Sequence, residues 1–239
     1  MPVTRKNTKL KVCIDRFPPG QSPFDLARRE TGSRAAILSE KMWTPGGRVL
    51  RVRFLDGDGR VQRKVAKFAQ EWTKVANIEF EFGNDRAAEI RISFQQPGSW
   101  SYIGTDALDP AIPPDQPTMN LGWLTRATRN DEVMRVVLHE FGHALGLVHE
   151  HQNPANDIPW DKAAVYDFYE GAPNFWTPEQ VDINLFQVYE AANTKYSEFD
   201  PQSIMLYPIP SQFTIGGFEV GWNNTLSALD QQYIRAWYP

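Results

Sequence analysis

Between Arg48 and Phe94 the spacing of the hydrophobic positions changes period twice. In Arg48–Gly57 Val49, Arg51 and Arg53 alternate with Leu50, Val52 and Phe54. That two-residue period is the pattern of a half-buried strand, closed by the turn Asp56–Gly59. Val61, Val65, Phe68, Ala69, Trp72 and Val75 then recur at three- and four-residue intervals, one apolar stripe of a helix over Val61–Ala76. Alternation returns in Ile78–Phe82 and Glu89–Phe94, two strands flanking a Gly-Asn-Asp turn. Strand, helix, strand, strand predicts a mixed sheet with a helix packed on it, an α+β arrangement.

Around this block the pattern is less regular. Residues 1–40 carry Pro18, Pro19, Gly20 and Pro23 and an exposed Arg-Arg-Glu-Thr-Gly-Ser-Arg run, and read as an N-terminal extension. Residues 95–117 hold five prolines and two glycines and are expected to form a long loop. Thr118–Trp123 is short and half apolar, a candidate edge strand. A helix is expected over Asp131–Leu145, capped by Thr128 or Asn130, with Asp131 and Glu132 in its positive first turn and Gly146 as its stop. Trp160–Tyr169 and Thr177–Tyr189 read as further helices, the second opening on a cap, a first-turn proline and a capping-box Gln180. Phe199–Gly221 is rich in Pro and Gly and irregular. Ser227–Tyr238 is a final helix with Asp230 as the partner of its cap.

Composition narrows the function classes. With 239 residues, 41% apolar and 23% charged, the chain fits one large domain or two small ones with a substantial core. A net charge of -4 argues against a nucleic-acid partner, and no apolar run approaches the ~20 residues of a membrane span. Nothing specifies an oligomer, and a monomer is expected. The single cysteine, Cys13, excludes an intrachain disulfide. The N-terminus lacks the 7–15-residue apolar core of a secretory signal, which leaves a cytoplasmic location, export by another route, or a signal outside the given sequence. Asp56-Gly57-Asp58-Gly59 resembles the start of a calcium loop but lacks the remaining ligands and the closing Glu, and reads as a tight turn.

The histidines carry the chemistry. All 4 lie between positions 139 and 151. His139 and His143 are one helical turn apart on one face and can converge on a metal, while Glu140 leans toward the same edge as a base for a metal-activated water. Gly146 can take the positive φ that turns the chain, and His149 follows where the returning chain supplies a third ligand. Three His ligands without a fourth protein ligand describe an open catalytic zinc site, not a closed structural one. His151, two beyond His149, is expected beside the site or on the surface, not as a fourth ligand.

The run from His139 to Glu150 resembles the elongated zinc motif of the metzincin metallopeptidases. Ser203-Ile204-Met205-Leu206-Tyr207 resembles the methionine turn of the astacin branch, as do Glu150 directly after the third histidine and the preceding Phe199-Asp200. The resemblance covers roughly residues 45–239. It implies a metzincin-type α+β domain over 41–239, a twisted mixed sheet with helices above a cleft up to Gly146, and a helical and irregular lower half over 147–239. It implies one catalytic Zn²⁺ on His139, His143 and His149, with Met205 beneath it and Tyr207 as a mobile ligand that stabilises the oxyanion. The implied activity is a zinc endopeptidase acting on protein or peptide substrates through a zinc-bound water activated by Glu140. Thr118–Trp123 matches, more weakly, the rim strand that would bind substrate. Two competing readings stand beside it: a non-peptidase zinc hydrolase, and a metzincin-fold binding module that has lost catalysis.

The chain also departs from the astacin pattern. With one cysteine it can form neither of the two usual disulfides, and Leu206 replaces the histidine frequent inside the methionine turn. In astacins the glutamate after the third histidine contacts a trimmed, buried N-terminus, a role implied for Glu150. Cys13 admits two readings: a small buried hydrophobe in a strand Leu10–Ile14, or a zinc-blocking thiolate like the upstream cysteine of matrixins, another metzincin branch. The residues around Cys13 do not match the matrixin motif. Astacins use an aspartate for latency, which makes Asp15 a rival.

Overall fold

The computed structural model describes residues 13–14, 16–21, 41–44, 46–172, 174–188 and 198–239. Asp15 and Leu10–Val12, named above, lie outside the described residues. The alternating segments form strands β1 (Arg48–Phe54), β2 (Ile78–Gly83) and β3 (Ile90–Ser93). Two three-residue strands follow, β4 (Ser99–Ser101) and β5 (Met119–Leu121). They build one five-stranded sheet in the order β2-β1-β3-β5-β4, in which β4 alone runs antiparallel to its neighbour.

The rim of this sheet differs from the expected one. Met119–Leu121 lies inside, paired with β3 on one side and β4 on the other, and the edge belongs to Ser99–Ser101. That strand sits in the stretch expected to be loop. Three residues are too few for a readable alternation, and the surrounding Pro and Gly mask it.

Helix α1 (Gly59–Thr73) starts where Asp58 accepts the Arg60 N–H, and it buries Val61, Val65, Ala69 and Trp72. Asp56 accepts the Phe94 N–H and the Ser93 hydroxyl, and Asp58 also pairs with Arg126, so the two aspartates of the turn are engaged by the chain itself. Helix α2 (Asn130–Ala144) packs across α1, and the Trp72 indole donates to the Leu138 carbonyl at 3.0 Å. Neither Thr128 nor Asn130 caps it. The Asp131 carboxylate instead accepts the Glu132 N–H, while the Thr128 hydroxyl closes the preceding turn onto Thr125 N. The core between sheet and helices holds Leu50, Trp72, Ile90, Val137 and Phe141, all essentially inaccessible. Each such aliphatic or Phe side chain contributes roughly 1.5–3 kcal/mol on burial.

At the end of α2 the Gly146 N–H bonds the His143 carbonyl and the Leu147 N–H bonds that of Gly142. With Gly146 at φ 99° this is a Schellman stop, which turns the chain from the sheet half into the lower half. There α3 (Lys162–Glu170) is capped by Asp161, and α4 (Pro178–Val181) opens with the Thr177/Gln180 capping box. The helix expected over Thr177–Tyr189 changes character after one turn. Asp182–Phe186 is wound as a π turn, and residues 189–197 lie outside the described residues. Helix α5 (Ala228–Trp237) carries the expected Ser227/Asp230 box. A second, aromatic core joins the halves, with Trp100 and Tyr102 from the rim against Tyr169, Leu185 and Phe213.

Candidate metal centre

Helix α2 brings His139 and His143 to one buried face, and the Gly146 turn returns His149 against them. His139 Nδ1 lies 2.8 Å from the Ile204 carbonyl and His143 Nδ1 2.8 Å from the Leu147 carbonyl. A carbonyl only accepts, so each Nδ1 carries the proton and each Nε2 presents its lone pair to the centre. His139 Nε2 is buried without a hydrogen-bond partner, and His143 Nε2 and His149 Nε2 stand 3.1 Å apart. Tetrahedral ligands about 2.05 Å from zinc lie about 3.3 Å from one another, so this spacing suits a shared ion. Burial, followed by the neighbouring imidazoles, holds His139 and His149 well below the ordinary histidine value of 6.5, which keeps both neutral.

The fourth member of the cluster comes from the extension. Cys13 offers its sulfur within 4.8 Å of all three histidine nitrogens. It is indeed a small buried residue in strand-like pairing, bridged in parallel to Ser99 of the rim strand. The strand reading therefore accounts for its backbone and misses its side chain, whose thiol lies 3.3 Å from Glu140 Oε2. Three imidazoles and a thiol form a donor set that zinc accepts readily.

The methionine turn forms the floor. Met205 Sδ packs so closely under α2 that a Cβ on Gly142 would lie 2.4 Å from it, which explains the glycine inside His139–His143. Asp230 fixes the turn by accepting the Ser203 hydroxyl and the N–H of Ile204, each at 2.8 Å. The sequence places Asp230 only in its own cap; the second role depends on contacts 26–27 residues away. Tyr207 follows, with its ring 4.4 Å from that of His149, and its hydroxyl donates to the Cys13 carbonyl at 2.6 Å.

Glu150 is buried, and its carboxylate accepts the Asp200 N–H and the Asn153 amide. Burial pushes its carboxyl up to about 8. Residues 22–40 lie outside the described residues, so the contact implied between Glu150 and a trimmed N-terminus is not described. His151 is fully buried, stacked on His149 and tilted against Tyr207, not on the surface.

Beside His139 and Glu140 lies a narrow cleft of about 10 Å³, lined by Trp123, Trp222, Val136, Arg135 and Cys13 among others. Arg135 forks onto Glu132 at 2.8 and 2.9 Å and lies 4.1 Å from the Trp222 ring centre, and Glu132 also accepts the Trp123 indole. A charge neutralised in this way braces two tryptophans around an opening next to the histidines.

Residues 38–237 match the family model of the astacin peptidases. A solved structure of myroilysin is 48% identical with a TM-score of 0.82, covering 85% of this chain and 98% of that one. A second myroilysin crystal structure is 44% identical with a TM-score of 0.69, covering 98% and 93%. High choriolytic enzyme 1, a hatching enzyme zinc-protease from Oryzias latipes, shares the fold with a TM-score of 0.59 at 17% identity, over 84% of this chain and 95% of that one. Among curated proteins, tolloid-like protein 1 of Mus musculus is 25% identical over 142 residues. That is 58% of this chain but 13% of the relative's length, so the chain matches only a small part of it.

Proposed function

The chain belongs to the astacin family of zinc metallopeptidases, and from that premise we propose that it is an endopeptidase held latent by its own Cys13. The observation that carries this reading is the cluster of three buried imidazoles and one thiol within 4.8 Å. His139, His143 and His149 would hold one zinc ion, and Cys13 would close the fourth position. Zinc bound there supplies Lewis-acid polarisation and acidifies a water molecule toward neutral pH.

The rest of the chemistry belongs to the chain's own residues. Glu140, whose carboxylate now accepts from the Cys13 thiol, takes the proton of the attacking water and delivers it to the leaving amine. Tyr207, now donating to the Cys13 carbonyl, turns its hydroxyl to the oxyanion that develops on the scissile carbonyl. Cys13 also occupies the rim strand at Ser99; once it leaves, an extended peptide can add there through main-chain hydrogen bonds. Cys13 also lines the narrow cleft between Trp123 and Trp222, so its departure widens that cleft toward the substrate.

One comparison tests this. Zinc-loaded full-length chain, its Cys13→Ser variant and a form trimmed before Lys41 are assayed on casein and on a quenched peptide. The trimmed form and the variant should cleave faster than the parent. Equal rates in all three would end the latency reading, and zinc-loaded forms that cleave neither substrate would end the endopeptidase reading.

A further inference from the structure

His151 has no part in the chemistry just described, yet two rings of the metal centre meet at it. Its ring is 5.1 Å from that of His149 with an interplanar angle of 17°, and 4.5 Å from that of Tyr207. With the 4.4 Å between His149 and Tyr207, the three rings form a closed triangle in which each wall rests on the other two.

The third corner is anchored from outside the metal centre. His151 Nε2 donates to the Asn184 carbonyl at 2.8 Å, and the neighbouring Gln152 amide donates to that of Ile183 at 3.0 Å. Both carbonyls belong to the π turn Asp182–Phe186. Wider winding shifts the backbone pairing to i→i+5, seen in the 2.7 Å bond from Gln187 N–H to the Asp182 carbonyl, and two carbonyls of the turn serve side chains instead. Asn184 itself is held by its amide on the Gln180 carbonyl, next to the Thr177 capping box.

We propose that His151 is a positioning residue: pinned to the π turn through Asn184, its ring fixes Tyr207 against His149 and so sets where the tyrosine hydroxyl points. This rests on the reading of Tyr207 as an oxyanion donor, and it gives the lower-half helices a task in the reaction. In the latent chain the same constraint holds the hydroxyl on the Cys13 carbonyl, so His151 also bears on how firmly the extension is seated.

The test is a double-mutant cycle of His151→Ala and Tyr207→Phe in the zinc-loaded full-length chain. Two readouts are taken: the alkylation rate of Cys13, and kcat and KM for a quenched peptide, the kinetics in the Cys13→Ser background. Tyr207→Phe loses the bond to Cys13 and should speed alkylation roughly 2- to 10-fold. His151→Ala should speed it similarly and lower kcat about tenfold with KM nearly unchanged, and neither effect should grow in the double variant. His151→Phe keeps the stacked wall without the Asn184 bond and should fall between His151→Ala and the parent. Effects that add in the double variant, with zinc content intact, would show that His151 acts independently of Tyr207 and overturn the proposal. A silent Tyr207→Phe would remove the reading of Tyr207 as well, which separates the two failures.

Discussion

Two irregular segments bring non-helical residues to the same three histidines, and they are held in different ways. The methionine turn is tied to the body through a buried carboxyl group. Asp230 takes the Ser203 hydroxyl and the Ile204 and Ser227 N–H groups, Ser203 Oγ takes the Met205 N–H, and the Met205 carbonyl takes the Glu150 N–H. The segment around Cys13 is seated on the site itself: its contacts include a long backbone bond from Ile14 N–H to the Ser99 carbonyl at 3.3 Å, the Tyr207 hydroxyl on the Cys13 carbonyl, the Cys13 thiol beside the Glu140 carboxylate, and Arg16 over the Trp100 ring. The turn is a permanent floor. The segment around Cys13 leans on Glu140 and Tyr207, and none of the bonds that tie down the floor involves it, so removing it leaves those bonds intact.

The largest expected effect separates chemistry from both. Glu140→Ala should keep zinc and fold while activity of the trimmed form drops by about 10²–10⁴-fold, the usual contribution of a general base. Zinc content and thermal melting measured beside turnover check that the loss is chemical. Tyr207→Phe comes next. In the trimmed form it should lower kcat and kcat/KM together by about 10²-fold, as for one lost oxyanion donor, with KM nearly constant. An unchanged kcat would make Tyr207 a packing residue.

The comparison itself is sharpest in stability. Asp230→Ala strands several buried donors and should cost at least about 1–3 kcal/mol by denaturant unfolding, whereas Cys13→Ala in the metal-free chain should cost well under about 1 kcal/mol. Similar losses would mean that the extension is as structural as the turn. The smallest effect is a pH slope. Burial raises the Asp230 carboxyl above its ordinary 3.8, against the pull of its donors. Its contribution is therefore fully present below about that value and is lost as pH climbs through the raised pKa. Melting temperature followed upward from about pH 4 should show that decline in the parent, and Asp230→Asn should flatten it.

What the sequence discloses and what it hides divide along the same line. The helix with His139, Glu140 and His143, the Gly146 stop and the caps at Thr177 and Ser227 are local features, each written within a few neighbouring residues. The seating of Cys13 on Glu140 spans 127 positions, and Asp230 reaches the methionine turn from 26. No periodicity reports such pairings. Spacing from His149 is all that the sequence offers for His151; its burial comes from Tyr207 and Asn184, which sequence distance conceals. The rim strand escapes the pattern because three residues among prolines carry too little of it.

The claim that Cys13 closes the zinc site is tested most directly by zinc K-edge X-ray absorption on the full-length, zinc-loaded protein. The account predicts three nitrogen ligands and one sulfur at about 2.3 Å, with the sulfur replaced by a light oxygen or nitrogen scatterer in Cys13→Ser. A full-length spectrum with only nitrogen and oxygen neighbours, identical to that of Cys13→Ser, would contradict it.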